Sequence, residues 1–467
     1  MKKKSILSLL SLSVFLLLFY SCIEKKTAKE DKIISQFFKE GDRIAFVGNS
    51  ITHMGMFHHN IYLYHVTRFP DEPLEMYNLG VSGDVTTGVL NRMEDDIMIN
   101  NPTHAVIMLG MNDVQRYLYG NENNSDDEIL KQRREAVDLY KKNLDSIINI
   151  FLSKKVKVIL ERPSIYDQTA DLPETNLYGV NDVLGECALY IDTLGQKYHL
   201  PIVDYYGIMN RINLEIQKQD ATATLTGQDR IHPGETGHFI MAYQFLKTEG
   251  VPKYVSKIVI DAGKLKNTHD SDNCEVGEIK KNGNTIEFSI KENALPFPVK
   301  KDQQEAAKLV PFMNEMNVEL LKVNGLVSGQ YTLKIDNIPV GDFTAQLLNK
   351  GINLAGYANT PQYKQSEKVL KKFNELWDME GRLRGMKFIE YMDDYKNCPN
   401  KSDMRFVENY LDSTFNRYTD PYYKNQLKKY ISNKPKEEEM LKVSEQIRKE
   451  VYDLAKTKKH IYTLHLK

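Results

Sequence analysis

The chain has 467 residues, too many for one compact hydrophobic core, so two or three structural units are expected. Its 62 Lys and Arg against 63 Asp and Glu give a formal charge of −1, which excludes the global basic field of a nucleic-acid binder. A hydrophobic share of 41% is ordinary for a globular protein and argues against long disorder.

Residues 1–21 read as a lipoprotein signal peptide. Met1-Lys2-Lys3-Lys4 supplies the positive charge, and Ile6 to Tyr20 supplies an apolar run too short for a comfortable membrane span. Ser21 before Cys22 resembles a bacterial lipoprotein cleavage site, which makes Cys22 the expected lipidated first residue of the mature protein. The alternative is ordinary secretion with an incidental Cys22. The expected location is therefore the bacterial cell envelope, periplasmic or surface-exposed, with the membrane as a partner through the anchor. Residues 22–40 are charged and read as a tether. Cys187, Cys274 and Cys398 have no short spacing and no zinc pattern, so they read as isolated packing residues, with one disulfide in an oxidising compartment as the alternative.

Strand-like runs follow at wide intervals: Arg43–Val47, Leu74–Leu79, His104–Leu109, Val156–Glu161 and Pro201–Asp204. Segments with helical spacing separate them, among them Asp127–Leu152 and Asp182–Tyr198. Strands alternating with helices predict a parallel sheet covered on both faces, an α/β domain over 41–252. Between 253 and 345 the pattern changes to short strands with turn signals such as Asn282-Gly283-Asn284, which predicts a mostly β unit. Residues 346–467 read as a helical region, with Lys436–Lys459 a solvated surface helix.

Four blocks carry chemistry, each where a doubly wound sheet places ligands, after the carboxyl ends of strands. They are Gly48-Asn49-Ser50, Val81-Ser82-Gly83-Asp84, Gly110-Met111-Asn112-Asp113 and Asp229-Arg230-Ile231-His232-Pro233. A serine hydroxyl is a poor nucleophile until a base accepts its proton, and a histidine titrates in the useful range. His232 is the candidate base, and Asp229, three positions earlier, can orient it. Attack on a carbonyl creates an oxyanion, for which the Ser50 N–H, the Gly83 N–H and the Asn112 amide are candidate donors. Asp113 reads as a brace for its loop. His53, His58, His59 and His65 lack acidic partners at metal-ligand spacing, so surface or pocket-rim roles are expected and no metal is assigned. Arg162, at a strand end, is a candidate cleft-rim residue, with a structural role at that strand end as the alternative.

These blocks resemble those of the SGNH/GDSL hydrolase family, named for its Ser, Gly, Asn and His, which match Ser50, Gly83, Asn112 and His232. Asp229 matches the acidic member of the family's D-x-x-H motif, while Asn49 stands where the family usually has Asp. The resemblance implies a three-layer, flavodoxin-like doubly wound sheet and metal-free ester hydrolysis without a cofactor. The chain also resembles secreted Bacteroidetes-type lipoprotein members with added C-terminal segments. The expected function is a serine esterase acting on acyl esters, acetyl foremost, of carbohydrates. A lipid or lysophospholipid esterase or a thioesterase is the enzymatic alternative. A glycan-binding envelope lipoprotein with an inactive hydrolase domain is the alternative outside catalysis.

Overall fold

Five short strands build the platform on which the site rests: β1 (Arg43–Gly48), β2 (Glu75–Gly80), β3 (His104–Met108), β4 (Lys157–Arg162) and β5 (Ile202–Asp204). They lie in the order β2-β1-β3-β4-β5, every pair parallel. The computed structural model describes residues 37–120, 126–417 and 421–467. The expected leader, Cys22 and the tether up to residue 36 lie outside the described residues.

Two layers of helix enclose this sheet. In chain order the helices are α1 (Ser50–Met54), α2 (Met56–Arg68), α3 (Thr86–Asn91), α4 (Asp127–Ser153), α5 (Val180–Tyr198), α6 (Tyr205–Gln217) and α7 (Glu235–Glu249). Because both faces are covered, β1 is an almost unbroken apolar run. Ile44 and Phe46 pack with α2, α6 and α7, whereas Ala45 and Val47 pack with α3, α4 and α5. The chain leaves β1 for β2 on one side and then crosses to β3 on the other. That reversal opens a crevice at the carboxyl ends of the strands.

The β-rich region is a sandwich. Its strands are β6 (Tyr254–Asp261), β7 (Lys266–Asn267), β8 (Cys274–Asn282), β9 (Thr285–Glu292), β10 (Val318–Asn324), β11 (Gln330–Ile335), β12 (Ile338–Thr344), β13 (Ile352–Asn353) and β14 (Lys459–Leu466). One sheet runs β13-β10-β6-β7 and the other β12-β11-β14-β9-β8. Ile258 and Val323 from the first meet Phe288, Leu333 and Tyr462 from the second in one core. The sequence did not announce β14, which comes from the far end of the chain to pair between β9 and β11. His460, Tyr462 and Leu464 point inward at alternate positions, the two-residue period of a strand.

The helical region comprises α8 (Pro361–Tyr391), α9 (Met404–Phe415), α10 (Pro421–Asn433) and α11 (Glu437–Ala455). Thr360 caps α8 by accepting from the Tyr363 N–H, with Pro361 in the first turn where no N–H is needed. The reading of α11 as a wholly solvated helix is corrected by its inner face. Ile447, Val451, Tyr452 and Ala455 join the hydrolase core, and the Tyr452 hydroxyl accepts from the Leu74 N–H at 2.9 Å. With α8 it covers α2, which explains a second correction. His58, His59 and His65 are buried, not surface or rim residues, and His59 packs on Phe373 and Trp377 of α8. Burial pushes the His58 imidazole down to about 4.

Glu161 on β4 is fully buried, with its Oε1 accepting from the Tyr205 hydroxyl at 2.7 Å. Burial pushes its carboxyl up to about 8, against the lowering effect of that hydrogen bond. The protonated form is thus the one the fold prefers. Its stabilising effect is complete below the unfolded pKa near 4.5 and is lost as pH rises through about 8. Glu161→Gln keeps the acceptor and removes the ionisation. Urea unfolding at pH 8.5 is expected to show the variant more stable by about 2–4 kcal/mol, a gap that closes near pH 4.5. A gap independent of pH would refute this.

Candidate active site

Ser50 opens α1 immediately beyond β1. Asn49 caps the helix, its side chain accepting from the Ile51 N–H at 3.1 Å. The amide at the family's usual Asp position therefore still performs the capping task. α1 lies close over the end of β2, and glycine at 80 permits it. A Cβ there would stand 2.3 Å from the His53 nitrogen and 2.6 Å from the Thr52 carbonyl carbon. Gly83 has φ +80, a left-handed conformation that favours glycine. Among the described residues its N–H has no hydrogen-bond acceptor.

Short hydrogen bonds tie the loops after the first three strands together. The Val81 N–H donates to the Gly48 carbonyl at 3.0 Å. Asn112 Nδ2 donates to the Asp84 carbonyl at 2.9 Å. Asp113 braces its loop as expected: Oδ1 accepts from the Thr86 N–H at 2.7 Å and Oδ2 from the Gly110 N–H at 3.0 Å. Arg116, which the sequence did not flag, donates to Asn112 Oδ1 at 2.7 Å. It thereby fixes which end of the Asn112 amide is the donor. Its position four residues past Asn112 is the signal that a local reading could have used.

The fourth block reaches Ser50 from the opposite end of the domain. His232 Nε2 lies 2.7 Å from Ser50 Oγ, and His232 Nδ1 lies 2.5 Å from Asp229 Oδ2. Asp229 Oδ1 accepts from the Ile231 and His232 N–H groups, each at 3.0 Å. Burial tends to raise the Asp229 carboxyl. The His232 ring and the two backbone donors outweigh it and hold the group down at about 2. Arg230, inside the motif, anchors the loop. All five of its N–H donors reach carbonyl oxygens of Asp167, Ala170, Leu172 and Glu174 at 3.0–3.1 Å. The structure thus brings Ser50, His232 and Asp229 into one hydrogen-bonded line, a constellation suited to acyl transfer.

Two open cavities border the segments that follow β1 and β2, and neither is lined by Ser50, Asp229 or His232. One of about 380 Å³ is bordered by Ser82, Gly83, Asn91, Tyr391 and Lys396. The other, of about 670 Å³, is bordered by His53, Asn374, Trp377, Arg382 and Gln426. His53 lines the second and also accepts from the Ser82 N–H at 3.2 Å. Burial, then Arg384 and Arg92, push its imidazole down to about 3, so it acts as a neutral acceptor. Arg162 ties the end of β4 to its neighbours. It pairs bidentately with Asp192 at 2.7 Å and with Asp204 at 2.9 Å.

Residues 46–240 match the model of the GDSL-like lipase/acylhydrolase family. A solved structure of a gut microbial diltiazem-metabolizing enzyme is 33% identical, with 92% of this chain and 98% of that chain covered at a TM-score of 0.84. The chain belongs to the GDSL-like lipase/acylhydrolase family. It is a carboxylic ester hydrolase with an α/β fold, a mostly β region and a helical tail. An acetylxylan esterase from Geobacillus stearothermophilus is 23% identical over 225 residues, spanning 45% of this chain and 94% of the relative. The family match covers the hydrolase region, while the likeness to the diltiazem-metabolizing enzyme extends across most of the C-terminal regions as well.

Proposed function

We propose that this acylhydrolase is a serine esterase that removes acyl groups, acetyl foremost, from carbohydrate esters. The unbroken line from the Ser50 hydroxyl through His232 to Asp229 carries this reading. His232 Nε2 takes the Ser50 proton while Oγ bonds to the ester carbonyl carbon. The Ser50 and Gly83 N–H groups and the Asn112 amide hold the oxyanion. Asp229 stays ionised and stabilises the imidazolium. The bond to the alkoxy oxygen then breaks, and His232 returns the proton to the leaving alcohol. Water gives a proton to His232 and attacks the acyl-enzyme. Ser50 regains its proton as the carboxylic acid departs.

The substrate class draws support from two relatives. The acetylxylan esterase and the diltiazem-metabolizing enzyme are both named for compounds that carry acetate esters. The test is a panel of 4-nitrophenyl acetate, acetylated xylooligosaccharides, diltiazem and lysophosphatidylcholine, with wild type and Ser50→Ala. Acetate release from the oligosaccharides is expected, with kcat/KM about tenfold or more above the lysophospholipid and none in the variant. Turnover of lysophospholipid alone moves the assignment to lipids. Oligosaccharide binding without turnover of any ester returns the glycan-binding alternative.

A further inference from the structure

A cluster of two arginines and an aspartate is buried beneath the loops that follow β1 and β2. Asp96 is shared by both arginines. Arg384 Nη1 donates to its Oδ1 at 2.7 Å and Nη2 to its Oδ2 at 2.9 Å, and Arg92 Nη1 donates to Oδ2 at 2.7 Å. Burial tends to raise the Asp96 carboxyl, and the two guanidinium groups hold it down at about 2. Each arginine also donates to the catalytic loops. Arg384 Nε donates to the Gly80 carbonyl at 3.2 Å. Arg92 Nε donates to Asp84 Oδ2 at 2.8 Å, and its Nη2 lies 3.4 Å from the Gly48 carbonyl.

The places these donors reach are telling. Gly48 precedes Ser50 by two residues. Gly80 and Asp84 bracket Gly83, and the Asp84 carbonyl is the acceptor that holds Asn112. Each of the three oxyanion donors therefore lies within two residues of, or is hydrogen-bonded to, a residue that the cluster holds. We infer that Arg384, on a helix outside the family match, is a positioning residue for the oxyanion site, locking the Ser50, Gly83 and Asn112 loops through Asp96 and Arg92. This rests on the roles proposed above for those three residues. A buried ionic cluster is a poor source of stability, because desolvation offsets its attraction. Its charge-assisted forks instead fix geometry, and oxyanion donors lose their effect when displaced by about 1 Å.

The test compares wild type, Arg384→Met and Arg384→Lys on 4-nitrophenyl acetate, with an arylboronic acid as a mimic of the tetrahedral state. Arg384→Met is expected to lower kcat by about 10–100-fold and weaken the boronate by a similar factor, with KM changed by less than about twofold. Arg384→Lys, which keeps the charge beside Asp96 but loses the fork, is expected to recover part of both. A purely structural role would lower the unfolding temperature and leave boronate affinity per folded molecule unchanged. The inference is overturned if folded Arg384→Met keeps kcat and boronate affinity within about twofold of wild type. If that variant does not fold, wild-type values in Arg384→Lys overturn it. Ser50→Ala separates the two levels. An inactive Ser50→Ala beside a fully active Arg384→Met removes this inference alone, whereas an active Ser50→Ala removes the site assignment beneath it.

Discussion

Ser50→Ala and His232→Ala are each expected to lower kcat for an acetate ester by about 10⁴-fold or more, and the double variant to fall little further. The reason lies in the 2.7 Å contact between Ser50 Oγ and His232 Nε2. The serine has no reactivity to lose once its base is gone, and the base has no proton to take once the hydroxyl is gone. Two residues acting as one unit therefore give non-additive losses. The residual rate over water belongs to the Gly83 and Asn112 donors, which neither substitution touches. Steady-state kinetics with active-site titration checks this, since the titrant counts only molecules with a reactive Ser50. Losses that multiply in the double variant would show that the two side chains act in separate steps. Ser50→Ala is also expected to keep its folded state, because the Asn49 cap and the loop bonds from Val81 do not use the serine hydroxyl.

The parts of this site that were legible in the sequence are local. Gly-x-Ser, Gly-x-Asn-Asp and Asp-x-x-His each fall in a single loop beside a strand end. Each can be read from a few adjacent residues and the apolar run before it. The parts that were not legible depend on distant partners. Arg384 and Asp96 are 288 positions apart, so no window of sequence contains both. β14 alternates as a strand should, yet its place between β9 and β11 depends on distant chain, Tyr462 pairing with Phe288 and Ile335. His58 and His59 read as polar and therefore exposed, because nothing near them announces that α8 will cover α2. Arg230 is the intermediate case. It lies inside a recognised motif, but the carbonyls it binds belong to the 167–174 segment. What the motifs conceal is thus the support beneath the reacting groups, which tertiary contacts create.

Asp229→Asn is expected to lower kcat by about 10³–10⁴-fold, although the change replaces one oxygen with a nitrogen. Asp229 Oδ1 already accepts from the Ile231 and His232 N–H groups, each at 3.0 Å. An asparagine must keep its carbonyl oxygen there, so its NH₂ faces His232 Nδ1. That nitrogen must then accept, and the ring proton moves to Nε2, which donates to Ser50 and has no lone pair left for its proton. The base is present, correctly placed and in the wrong tautomer. The wild-type pH profile follows from the same bond. With Asp229 held at about 2 it stays ionised throughout the working range, so it contributes no limb of its own to kcat/KM between pH 4 and 9. Asp229→Asn should lower the plateau of that profile without introducing a second limb. A variant that retains kcat within about tenfold would mean that the carboxylate only caps the loop. The Ile231 and His232 N–H groups would then be its whole purpose.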